Sequence, residues 1–197
     1  MEDRGRADTD LRHQAVVSMI WQPDYYNGGN PLLRHLVSGW SISPILKVHS
    51  GLPFTVLNGA DANLDGNGGD RARLVGDPFG GNCLNGAPVG SAACWFNNTA
   101  LVRNAPVNGA PVDGNSARNL IDQPGYKDVD LAIFRTFKLR ESFSLQARGE
   151  AMNVFNMVNL NAPNATAPAT PTTVSTFGQI TSAQSMRQLQ LGVRLIF

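Results

Sequence analysis

The 197-residue chain is poor in charge, thiols and uninterrupted apolar sequence. Charged residues make up 16% of it, against roughly 25% in ordinary soluble domains. Lys plus Arg numbers 16 and Asp plus Glu 15, so no strong field of either sign surrounds it. The basic residues are scattered, with no interleaved aromatic platform, and no nucleic-acid partner is expected. No stretch of about 18 apolar residues occurs, which excludes a transmembrane helix. It does not exclude a barrel, whose strands hide their apolar residues in alternation. The start, "MEDRGRADTDLRHQ", lacks the apolar segment of a signal peptide. The reading is therefore a cytosolic protein or the later part of a longer one. His13, His35 and His49 stand alone, without H-E-x-x-H spacing, and no G-x-S-x-G elbow is present. No enzyme and no catalytic residue are expected.

The two cysteines, Cys83 and Cys94, lie in a Gly/Asn/Pro-rich stretch. That setting suits a loop disulfide in an extracytoplasmic protein, the alternative being two unpaired surface thiols. What is abundant points the same way. Twenty glycines and 18 asparagines favour turns and long polar loops over helices.

Period-two patterning marks four strands. In 11–21, Ala15, Val17, Met19 and Trp21 share a face; in 39–50, Trp40, Ile42, Leu46 and Val48 do. In 142–155, Phe143, Leu145, Ala147 and Ala151 oppose Ser144, Gln146, Arg148 and Glu150. The final segment, "RQLQLGVRLIF", sets Leu189, Leu191, Val193, Leu195 and Phe197 against Gln188, Gln190 and Arg194. A fifth segment, 128–139, carries a charge on each face, and its orientation is left open.

The connections alternate: a modest linker at 21–36, loop-like sequence over 58–127, a tight turn at 139–142, and a long Ala/Pro/Thr/Asn-rich stretch over 157–184. Two such loops count against a compact soluble sandwich. They suit an antiparallel transmembrane β-barrel with short periplasmic turns and long outer loops. With a periplasmic C-terminus both long loops come out on the outer side. Trp21, Trp40, Phe137, Phe143 and Phe197 then gather at the periplasmic interface, the depth that aromatic rings favour. Gln146, Arg148 and Glu150 are expected to face the lumen, and the apolar alternation to face lipid.

The stretches "DLRHQAVVSMIW", "GWSISPILKVHSGLPFTV", "DANLDGNGGDR", "WFNNTAL", "GNSARNLIDQPGYKDVDLAIFRTFKL", "LQARGEAMNVFNMVNL", "FGQITSA" and "RQLQLGVRLIF" occur in order along nearly the whole chain. As an ordered set they resemble the C-terminal barrel region of TonB-dependent outer-membrane receptors. The nearest subgroup is the Oar-like receptors with a carboxypeptidase-regulatory-like N-terminal domain. The resemblance implies a large barrel blocked by a plug and energised through TonB, taking up chelated metals, glycans or peptides. On this reading the chain is a fragment of about five strands, and the remaining strands, the plug and the TonB-contacting segment lie upstream. Gln190, Gly192, Leu195 and Phe197 resemble the signal read by the barrel-assembly machinery. The implied partners are outer-membrane lipid, that machinery and the rest of the receptor.

Within the first loop, Asp61, Asn63, Asp65, Gly66 and Asn67 follow the D-x-[DN]-x-[DN]-G spacing of calcium loops, with Asp70 close behind. Position twelve is Ala72 rather than a bidentate Glu, so an EF-hand is not expected. Two readings stay open: a weak Ca²⁺ site, or a solvated Asn/Gly/Asp turn, which is favoured. No other cofactor is expected. The competing functions are a secreted calcium-binding or adhesin-like β-module, and a porin-type barrel piece without TonB coupling.

Overall fold

A computed structural model describes residues 4–23, 28–30, 32–33, 37–140, 143–170, 172 and 175–197. The turn expected at 139–142 falls partly outside them, as do His35 and parts of 21–36 and 157–184. Among the described residues there are nine strands: β1 (Gln14–Ser18), β2 (Trp40–His49), β3 (Pro53–Phe54), β4 (Arg73–Leu74), β5 (Leu101–Val102), β6 (Ile121–Asp122), β7 (Tyr126–Arg140), β8 (Phe143–Met152) and β9 (Gln188–Ile196). The chain divides into two compact units.

One unit holds residues 13–49, 126–158 and 185–197. It is an antiparallel sheet in the order β1-β2-β7-β8-β9, made of the four segments that show period two and the fifth, 128–139. The sheet is open, with β1 and β9 as its edges. Gln14, His49 and Tyr126 lie in register at one end, and Met152 pairs with Gln188 toward the same end, from which the long connections leave.

The ladder settles the face of the fifth segment. Ile133 pairs with Ile42 and Gly149, and Phe137 with Leu145. Leu131, Ile133, Arg135 and Phe137 therefore share the apolar face with Trp40, Ile42, Ala147 and Leu191. Asp128, Asp130, Phe134 and Thr136 lie on the other face.

Pro44 sits inside a central strand, a position proline normally avoids. Its carbonyl accepts from Met19 N, so its nitrogen, which has no hydrogen, faces β1 as well. The β1 ladder stops at Ser18 and resumes as a single bridge, Trp21 to Ile42. The missing donor accounts for that gap.

The other unit comprises 1–12, 50–125 and 159–184. The stretches 58–127 and 157–184 read as bare loops, and the structure corrects this. β3 pairs with β6, β4 pairs with β5, and the strand expected over 128–139 begins earlier, at Tyr126. Val56, Ala72, Phe96, Leu101, Ile121, Ala167 and Phe177 form a buried core drawn from both stretches. Phe96 meets Phe177 edge-on at 5.2 Å and Phe54 at 6.0 Å. These positions follow no period, so alternation could not reveal them.

Irregular backbone needs partners that a ladder would otherwise supply. Buried asparagines provide them. Asn98 accepts from Leu84 N at 2.9 Å and donates to the Phe177 carbonyl at 3.1 Å. Asn58 accepts from Asn104 N and donates to the Ala60 and Asn104 carbonyls. A disulfide joins Cys83 to Cys94 beside this core, with an S–S distance of 2.08 Å. By loop closure such a link contributes about 3 kcal/mol.

Phe96 is fully buried. Phe96→Ala should destabilise this unit by about 3–5 kcal/mol. The expected readout is amide hydrogen exchange across residues 54–101 that is roughly 100-fold faster or more.

Candidate functional site

The acidic loop is built by a ladder of side-chain turns. Asn63 Oδ1 accepts from Asp65 N at 3.1 Å, Asp65 Oδ1 from Asn67 N at 2.7 Å, and Asn67 Oδ1 from Gly69 N at 3.1 Å. Each is an Asx turn, in which a short side chain bonds the amide two residues on. Asp61 accepts from Asp65 N and Gly66 N, and Asp70 from Ala62 N and Asn63 N. Leu64 and Gly66 take positive φ, at 60° and 86°, to make the bend.

Of the five expected ligands, Asp61, Asp65 and Asp70 converge, each offering an oxygen within 4.8 Å of the others. Asn63 joins them by donating to Asp65 at 3.2 Å, while Asn67 turns to Gly69. The alternate-residue spacing that suggested calcium is accounted for by the turn ladder itself.

This loop lines a polar hollow of about 460 Å³ together with Asp8, Arg71, Asp113 and Arg118. Gly114 lets the chain cross the Arg71 carbonyl, which a Cβ would meet at 1.8 Å. These partners leave no mark in the sequence pattern, because residues 4–12 reach the site only through tertiary contacts. Asn119 Nδ2 donates to the Arg6 carbonyl and to Asp8 Oδ1, both at 2.6 Å, and Arg118 pairs with Asp8 at 3.1 Å. Arg6 also pairs with Asp10 and Asp122. The hollow mixes both signs of charge and suits a polar, multiply hydrogen-bonding ligand rather than a bare ion of one sign.

On the sheet, Gln146, Arg148 and Glu150 share the polar face. Arg148 pairs with Glu150 and lies 5.1 Å over the Phe134 ring, and Gln146 faces Thr136 at 3.4 Å. Lys47 pairs with Asp130 at 2.7 Å on the same face. Gln190 and Gly192 oppose Glu150 and Arg148, whereas Leu195 opposes Leu145 on the apolar face. Phe197 is 92% exposed, and a Cβ at Gly192 would meet nothing within 4 Å. The positions that resemble an assembly signal lie on the edge strand β9 or, for Phe197, just after it.

The apolar face carries one arginine that sequence reading did not place. Arg135 lies 4.9 Å from the Trp40 ring and 4.6 Å from the Phe137 ring. On a lipid-facing wall, arginine costs about 2–4 kcal/mol at the midplane and little at the interface. The two rings fit the interfacial depth.

A sequence model described as Outer membrane beta barrel domain matches residues 1–190. No curated protein and no solved structure matches the chain.

The Asp8 carboxyl is held below its usual range, first by the Asn119 hydrogen bond and then by Arg118. A depressed folded pKa gives stability that is complete above the unfolded value, about 3.9, and lost as pH falls through the folded value. Residues 4–12 should therefore stay docked at pH 5–7 and grow more accessible to an acid-active protease only as pH falls below the usual carboxylate range. Asp8→Asn should remove that acid dependence.

Proposed function

Because the chain belongs to the outer membrane β-barrel domain family, we propose that it forms the C-terminal barrel segment of an Oar-like TonB-dependent receptor. As a member of that family it is an outer-membrane protein. Its five-stranded sheet serves as barrel wall, with the apolar alternation toward lipid and Gln146, Arg148 and Glu150 toward the lumen. The loop unit helps to choose the ligand, and β9 carries the assembly signal. The plug and the contact with TonB come from other parts of such receptors.

The observation that carries this reading is the folding of two long loops into a disulfide-tied unit with its own core and polar hollow. A plain pore needs no such organised surface. A ligand-selecting receptor does, because recognition requires polar groups held in fixed positions. The ordered receptor-like stretches along the chain support the same choice.

The deciding experiment measures uptake by cells carrying the intact barrel gene, with and without a functional TonB. Uptake from a mixture of glycans, peptides and chelated metals should vanish when either gene is deleted. Uptake that survives loss of TonB would assign the chain to a porin-type barrel.

The terminal strand gives a second expectation. β9 is an open edge that an assembly factor can read by strand pairing. Phe197→Ser, or deletion of Phe197, should lower outer-membrane insertion several-fold in fractionated cells. Insertion at the wild-type level would count against the signal.

A further inference from the structure

The apolar face is not uniformly ridged. Beyond Phe143 and Leu145, β8 carries Ala147, Gly149 and Ala151 in succession on this face, while β7 offers Leu131 and Ile133 and β9 offers Leu189, Leu191 and Val193. The small residues form the floor of a furrow between two rows of large ones. Two hollows, of about 550 Å³ and 240 Å³, share Ile133, Gly149 and Leu191 and so run into each other. A Cβ on Gly149 would come within 3.5 Å of Leu191 Cδ2, so a larger side chain there would occupy the channel.

Arg135 closes one end. Its Nε is buried and has no acceptor among the described residues. Its neighbours on this face are Trp40, Ile133, Phe137 and Ala147, none of them acidic. The rings hold the guanidinium flat without neutralising it. A planar guanidinium presents paired donors that match a phosphate. The protein therefore leaves a cation, fixed in position, at the head of an apolar channel.

We propose that this furrow binds an anionic phospholipid, with one acyl chain along Ala147, Gly149 and Ala151 and the phosphate on Arg135. The floor spans about 13 Å of strand, close to half of a hydrocarbon core about 30 Å thick. Arg135 lies toward the short-turn end, the periplasmic side in barrels of this kind. The furrow runs from there toward the bilayer centre, as an acyl chain does. This inference rests on the lipid-facing wall of the barrel family and not on TonB coupling, so either can fail without the other.

The test uses the intact barrel protein in mild detergent, mixed with phosphatidylglycerol or phosphatidylcholine and examined by native mass spectrometry. Wild type should retain one phosphatidylglycerol under conditions that strip phosphatidylcholine. Arg135→Gln and Gly149→Leu should each lower that retention at least fivefold, while millimolar inorganic phosphate leaves it unchanged. Equal retention of the two lipids, wild-type retention in both variants, or displacement by inorganic phosphate would overturn the proposal. The gel shift between heated and unheated protein reports whether each variant folds. If one does not, quenching of wild-type tryptophan fluorescence decides instead. Acyl-brominated phosphatidylglycerol should quench more strongly than brominated phosphatidylcholine at equal mole fraction, and equal quenching would refute the site.

Discussion

Every backbone N–H and C=O of this chain has to find a partner, and two different surroundings impose that demand. In hydrocarbon no water competes, so a spanning segment satisfies its backbone internally or in a ladder. The five-stranded sheet answers with continuous antiparallel pairing across four junctions. It lapses at Pro44, which has no hydrogen to give and where the β1 ladder breaks, and at the register shift between Lys138 and Arg140. The same requirement makes the edges consequential. β1 and β9 each present a row of unmatched groups that no lipid can satisfy. Both run in the same direction, since three strands separate them in an antiparallel order. Direct closure would pair them in parallel, so an antiparallel barrel built on this sheet takes an odd number of further strands.

In the loop unit the demand is the same and the solution different. Strands of two residues satisfy little. Asparagine does most of the rest, because it both donates and accepts and is short enough to bond nearby amides. Asn58, Asn98 and Asn119 each bridge segments far apart in sequence, and Asn63 and Asn67 close turns locally. The acidic run belongs to this scheme. Asp61, Asp65 and Asp70 converge because their oxygens organise amides, and the calcium-like spacing follows from turns that repeat every second residue.

What could be read from the sequence followed from how each part is held together. The strands are legible because lipid on one side and polar surroundings on the other force strict alternation, as at Leu189 to Phe197. Segment 128–139 resisted because Arg135 occupies a lipid-side position and Asp130 a polar one, which blurs the contrast between its faces. Only the pairing of Ile133 with Ile42 and Gly149 resolves it. The loop core was illegible for a different reason. Phe96, Ala167 and Phe177 meet through tertiary approach, which leaves no period behind. The same holds for Asp8 and Arg118, which lie 110 residues apart in sequence and line one hollow.

Arg135 links these strands of argument. A charge on the apolar face breaks the rule that makes the barrel readable, and a broken local rule calls for a compensating gain. The cation–π contacts with Trp40 and Phe137 supply part of it, since they keep the guanidinium against the wall and at the depth of the aromatic rings. They do not satisfy Nε, and they do not explain why the strand beside it runs through Ala147, Gly149 and Ala151 on that face, past Phe143 and Leu145. Small residues on a lipid-facing strand give up apolar contact that leucine would offer at the same position. A bound lipid chain restores that contact, and its phosphate pairs with the charge of the guanidinium. The two departures from an ordinary barrel wall are adjacent, and one ligand accounts for both.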